Sequence, residues 1–170
     1  MRTASEMVEF ASNEVKLSKA MVKGFSVVED SLNSGENVLF SAGAFVENNS
    51  SCPVGLAITE NRVVIGQKTM FSSNVISISL DKINDVSIKC KFTGDYITIS
   101  NIGDNIVVST FKKKGSEIVS AIHSAIDNLK KSCEESVSAA DEILKYKNLA
   151  DNGIITQEEF ETKKKQLLGL

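Results

Sequence analysis

Tryptophan is absent from these 170 residues, and proline and histidine occur once each, at Pro53 and His123. One histidine, together with the lack of any GxSxG, HExxH or P-loop pattern, leaves no constellation for nucleophilic, metal-dependent or phosphoryl-transfer catalysis. The three cysteines, Cys52, Cys90 and Cys133, are odd in number and widely spaced. With no CxxC pair they suggest neither a zinc site nor a disulfide framework, and free thiols in a reducing compartment are expected. No stretch reaches the ~18 apolar residues a membrane span needs. The first 24 residues carry Glu6, Glu9, Glu14, Lys16, Lys19 and Lys23, which interrupt any apolar core of a secretory signal. The expected location is therefore cytoplasmic. A net charge of −3 gives no global attraction to nucleic acid or anionic lipid. The reading is of a non-enzyme with no cofactor, no metal, no nucleic-acid partner and no integral membrane segment.

What is present is a β-rich centre. Leu56–Ile58 and Val63–Ile65 flank Thr59-Glu60-Asn61-Arg62, a hairpin pattern in which Asn61 is expected to take positive φ. Before it, residues 36–47 read as a strand through Val38, Leu39, Phe40, Ala42, Ala44, Phe45 and Val46. Asn48 to Pro53 reads as a loop, as does Gln67 to Asn74. Ile76, Ile78 and Leu80 alternate with Ser77 and Ser79 as in a half-buried strand. Val86, Ile88, Cys90 and Phe92 alternate against Ser87, Lys89 and Lys91, and this face is expected to enter the core. Ile97 and Ile99 continue it, and 106–111 forms the last strand. Seven strands joined mostly by tight turns make an antiparallel meander the economical topology.

Helices flank this centre. An N-terminal arm over 1–35 is expected to hold a helix at 4–22, a bend at Gly24 and a short helix at 25–32. The arm packs either on the strands or on another copy of itself. Ser116 is placed to N-cap a later helix with Glu117 in its first turn. Its apolar stripe is Ile118, Ile122, Ala125 and Leu129, with His123 off the stripe and exposed. Lys112–Lys114 reads as a solvated turn, and Lys130–Lys131 suits the helix end. Residues 132–140 read as a linker or as more helix, with 132–138 taken as the linker. The last thirty residues form a helical hairpin. Asp141–Ala150 is its first helix, Gly153 is suited to αL, and Thr156 with Glu159 makes a capping box. Ile155 and Phe160 stand at the positions of a hydrophobic staple.

The run Leu149-Ala-Asp-Asn-Gly-Ile-Ile-Thr-Gln-Glu-Glu-Phe160, with Lys163–Lys165 and Leu167-Leu168, resembles the SHOCT domain, a short C-terminal hairpin of many bacterial proteins. The resemblance covers about 139–170 and implies an interaction or oligomerisation accessory. Glu36-Asn-Val-Leu39, Leu56-Ala-Ile-Thr59 and Arg62-Val-Val-Ile65 resemble the first three strands of bacterial PH-like (pleckstrin-homology-like) domains. Leu80 to Ser87 is similar to their following segment, and this likeness covers about 36–131. The two together imply an α+β chain: a seven-stranded antiparallel PH-like barrel or sandwich capped by a helix, with an N-terminal helical arm and a C-terminal hairpin. The function they imply is a non-enzymatic cytoplasmic scaffold that binds protein and self-associates as a homo-oligomer through its helical ends. The candidate contact residues are Leu149, Ile154, Ile155, Phe160, Leu167 and Leu168. Peripheral lipid binding is the disfavoured alternative. The first inter-strand loop, Glu47 to Cys52, is acidic and lacks any basic residue, so a membrane-surface role would have to use Lys112–Lys114 or Lys89 and Lys91.

Overall fold

The computed structural model describes residues 1–13, 15–48 and 50–169, and the side chains of all of these but 48, 50 and 133–139. Glu14, Asn49 and the Cys133 thiol, which entered the sequence reading, lie outside the described residues. The chain forms two compact units, Met1–Leu129 and Lys130–Leu170.

In the first unit, helices α1 (Ala4–Ser12) and α2 (Lys19–Ser31) precede seven strands. These are β1 (Val38–Asn48), β2 (Ser50–Thr59), β3 (Arg62–Lys68), β4 (Ser73–Ser79), β5 (Ile83–Lys91), β6 (Gly94–Asn101) and β7 (Asn105–Thr110). One 3-10 turn, Leu80–Lys82, links β4 to β5. All pairings are antiparallel, in the order β4-β3-β2-β1-β7-β6-β5. The topology is therefore two meanders, β1–β4 and β5–β7, joined where Phe45 pairs with Ser109 and Val46 with Val108.

The apolar runs at 56–58 and 63–65 do not alternate because both faces of β2 and β3 are buried. Leu56, Ile58, Val63 and Ile65 face the main core, while Ala57 and Val64 face a second cluster built with Met7, Phe25 and Val28 of the helical arm. The arm thus packs on the sheet. Ile78, Leu80, Ile97, Ile99 and Val108 complete the main core from the other strands. Helix α3 (Lys114–Asp151) adds Ile118, Ile122 and Ala125, all buried, with Leu129 half-buried beside them. His123 is exposed, as expected.

Several expectations fail, each for a local reason. The arm divides between Ser12, where α1 ends, and Lys19, where α2 begins, and the Ser18 hydroxyl accepts the Met21 N–H and N-caps α2. Gly24 lies inside α2, where a Cβ would overlap the backbones of Gly55 and Gly66. Glycine is there to let helix and sheet touch, not to bend the chain. Asn48 ends β1 and Ser50–Pro53 open β2, so these residues are strand rather than loop. Pro53 pairs with Phe45 on the β1 side, and β3 joins β2 only from Gly55 onward, so the missing N–H costs no ladder bond on that side. Asn61 does not take positive φ; among the described non-glycine residues only Lys113 does, at 75°. The β2–β3 turn is instead held by the Thr59 hydroxyl, which accepts the N–H groups of Asn61 and Arg62. Helix α3 does not stop at Lys130–Lys131, and 132–140 lie within its span.

The largest correction concerns β5. Val86 is half-buried, but Ile88 is 38% exposed, Cys90 is exposed and Phe92 is 94% exposed. Alternation marks one face of a strand but not what covers it. β5 is a sheet edge, and its C-terminal half runs past the buried core.

In the second unit, the end of α3 and α4 (Gln157–Leu168) form the hairpin. Ile154 N–H reaches Leu149 O at 2.9 Å and Gly153 N–H reaches Ala150 O at 2.9 Å, with Gly153 at φ 70°. This is the Schellman pattern that satisfies the last helical carbonyls. Thr156 Oγ1 accepts the Glu159 N–H at 3.2 Å, and Glu159 Oε2 accepts the Thr156 N–H at 2.8 Å. The capping box is complete.

Candidate interaction surfaces

The hairpin holds all six residues singled out from the sequence. Phe160 is buried, Leu149, Ile155 and Leu167 are half-buried, and Ile154 and Leu168 are 68% and 51% exposed. Leu144 is also 57% exposed. One buried phenyl is the centre of this small unit, with Lys164 Nζ 5.8 Å from its ring and Lys163 Nζ 5.7 Å from that of Tyr146. Phe160 therefore belongs to the inside of the hairpin, and Leu144, Ile154 and Leu168 present its apolar outside. The Glu159 carboxyl sits below its ordinary pKa because the Thr156 backbone N–H binds the charged form.

In the first unit, Glu36 and Arg62 form a clamp that the motif positions alone did not reveal. Arg62 Nε and Nη2 reach the two Glu36 oxygens at 2.8 and 2.7 Å. Nη2 also donates to Ser31 O at the end of α2, and Nη1 to Ser77 Oγ on β4. Asn33 N–H adds a third bond to Glu36. The Arg62 guanidinium, followed by that N–H, pulls the carboxyl down to about 2 although burial opposes it. The clamp ties arm, turn and sheet together and is aimed inward, so its role is structural.

A second buried carboxylate, Asp95, accepts the Gly115 N–H at 3.1 Å in the first turn of α3. An acid there suits the positive helix end. The anchor expected of Ser116 is thus supplied by a strand residue distant in sequence, and Ser116 lies inside the helix with its hydroxyl on Lys113 O. Asp95 also pushes the exposed Cys90 thiol up.

The turns of β1–β2, β3–β4 and β6–β7 close at Asn48↔Ser50, Lys68↔Ser73 and Ser100↔Asn105. The β1–β7 register puts these turns at one end of the sheet. Met70, Phe71 and Ile102 project there, 88%, 94% and 82% exposed. Between β1 and β4 at this end lies a cavity of about 140 Å³ lined by Val46, Cys52, Val54, Ile65, Gln67, Asn74 and Ile76. It is smaller than the ~300 Å³ at which small-molecule pockets begin, and no charged side chain lines it. The Glu47 carboxylate, next along β1 from Val46, accepts the hydroxyls of Ser51 and Ser109.

Residues 32–125 match the family model of the bacterial PH domain. The chain belongs to that family. Residues 141–168 of this PH-domain chain match the model of the short C-terminal domain, SHOCT. Among solved structures, the Vps36 N-terminal PH domain aligns at TM-score 0.50 and 16% identity, over 59% of this chain and 86% of that one. The C-terminal domain of an unknown protein from Leishmania infantum aligns at TM-score 0.48 and 22% identity, over 55% and 86%. The linker-DH/PH region of p115-RhoGEF aligns at 0.45 and 7%, over 74% and 40%. These likenesses concern the fold alone. No curated protein matches the chain. No helix of the described residues is long and apolar enough to cross a membrane.

Proposed function

We propose that this PH-domain chain is a non-enzymatic cytoplasmic scaffold whose barrel binds protein and whose C-terminal hairpin joins copies of the chain. The observation that carries this reading is the hairpin's surplus of apolar surface. Leu144, Ile154 and Leu168 are each more than half exposed on a unit of about forty residues in which Phe160 is the one fully buried side chain among the described residues, and units of that size seldom stand alone. A two-fold interface between identical hairpins is the commonest way to cover such a face. The small uncharged cavity and the inward-facing Glu36–Arg62 pair support binding over catalysis.

Light scattering on the full chain tests it. The wild type should have the mass of an oligomer. Leu144→Glu combined with Ile154→Glu should lower that mass while melting of the β-domain stays put, since both sites are exposed. A chain ending at Lys131 should behave like the double variant. Unchanged assembly in both variants would refute the hairpin as the contact. Phe160→Asp is a poorer probe, because that side chain is internal and its loss would unfold the hairpin itself.

A further inference from the structure

We infer that β5 is a self-pairing sheet edge, at which two copies of the chain meet as antiparallel strands and join their sheets across a two-fold axis. The contact lies in the first unit and does not depend on the hairpin. β5 stands at the end of the strand order and, among the described residues, pairs with β6 alone. Alternate residues of an antiparallel strand turn their N–H and C=O groups to opposite sides. Half of those on β5 therefore face away from β6, toward a side that no described strand occupies. Such an edge is a template for another chain.

The residues of the edge choose the occupant. A bulge separates Ile83 from Asp85, and from Asp85 to Lys91 the register with β6 is regular. Asp85-Val86-Ser87-Ile88-Lys89 reads acid, aliphatic, serine, aliphatic, base, so the segment complements its own reverse. With Ser87 on the two-fold axis, each Asp85 stands opposite the partner's Lys89, and each Val86 opposite the partner's Ile88. Asp85, Ser87 and Lys89 are exposed, Val86 is half-buried and Ile88 is 38% exposed, so both aliphatics have surface left to cover. Neither Asp85 nor Lys89 makes an ion pair among the described residues. Other arrangements lose the match. A parallel copy in register sets Asp85 against Asp85, and an antiparallel copy centred on Lys89 sets lysine against lysine; like charges directly opposite are destabilising. Lys89 and Lys91 are edge charges of the kind that turn strands away. Asp85 admits one partner, a second copy of the same edge in this register.

Oxidative cross-linking of the full chain tests the proposal. Ser87→Cys places a thiol on the axis facing its own copy, a position from which a disulfide can bridge adjacent strands. Mild oxidation should give a dimer bridged at position 87, read by peptide mass, that the wild type with its native thiols does not give. Thr98→Cys, one strand in on β6 beside Ser87, should not bridge. Adding Asp85→Lys or Lys89→Asp to Ser87→Cys should each slow bridging about tenfold or more, since two opposite-charge pairs become like pairs. An equimolar mixture of those two chains should bridge to a heterodimer at close to the original rate, because its charges are complementary again. A chain carrying both exchanges should do the same. Asp85, Ser87 and Lys89 are exposed, so melting temperatures should match the wild type and show that these variants fold. No bridge at position 87, equal bridging by Thr98→Cys or with Asp85→Lys, or a mixture no faster than its components would overturn the proposal. Repeating the measurement in the Leu144→Glu, Ile154→Glu chain separates the two contacts. A chain of unchanged mass that bridges defeats only the hairpin, and one of lowered mass that does not bridge defeats only β5.

Discussion

Glu36 is the residue whose chemistry has the clearest consequence for stability. Its carboxyl titrates near 2 in the fold against 4.5 ordinarily, chiefly because of the Arg62 guanidinium. A depressed folded pKa means that the stabilisation is present above the unfolded value and is lost as pH falls through the folded one. The protein should therefore lose roughly 3 kcal/mol from this group between about pH 4.5 and pH 2, at 1.36 kcal/mol per unit. Urea unfolding across that window measures it, and Glu36→Gln should flatten the slope while costing about 2–3 kcal/mol at neutral pH. Ile97 and Phe92 give the contrasting pair. Ile97→Ala should cost about 2–5 kcal/mol as a cavity in the main core, whereas Phe92→Ala should stay within about 0.5 kcal/mol as an exposed change. Thermal melts of the two decide it. Sequence showed Glu36 and Arg62 as motif positions but could not show them touching, because their approach depends on how the arm returns over the sheet. Phe92 misled for a related reason: period-two alternation finds a face, and only the strand order says whether anything lies against it.

Helices and strands were unequally legible. The turn and second helix of the C-terminal hairpin were read nearly to the residue because their signals are local: a glycine at αL and a capping box that opens three residues on. Thr156→Ala should cost the hairpin about 1 kcal/mol, visible as faster amide exchange in α4. The N-terminal arm was misdivided because Gly24 carries two opposite meanings, helix breaker and close-contact residue, and only the partner backbone distinguishes them. Gly24→Ala tests the second meaning. Helix propensity alone favours alanine by about 1 kcal/mol. Overlap with the Gly55 and Gly66 backbones should outweigh that and give a net loss of about 1–3 kcal/mol, read from the urea midpoint. The true start of α2 is written in Ser18, whose hydroxyl caps it at the Met21 N–H.

For the whole molecule, the class and the seven strands were accessible from composition, turns and resemblance, while the joining of first strand to last was not. A meander needs only neighbours, but β1 lies against β7, and no local pattern in Phe45-Val46 or Val108-Ser109 announces it. That seam has a kinetic consequence. Every other pairing in the sheet joins strands adjacent in sequence and can zip from its own turn. The seam must instead close a loop of about sixty residues, an entropic cost about 2 kcal/mol above that of a four-residue turn. The two halves of the sheet should therefore form ladders early and wait for each other, making their meeting the rate-limiting event. In stopped-flow refolding, Val108→Ala should slow folding with a φ-value above about 0.5, whereas Ile78→Ala on outlying β4 should act mainly on the unfolding arm of the chevron.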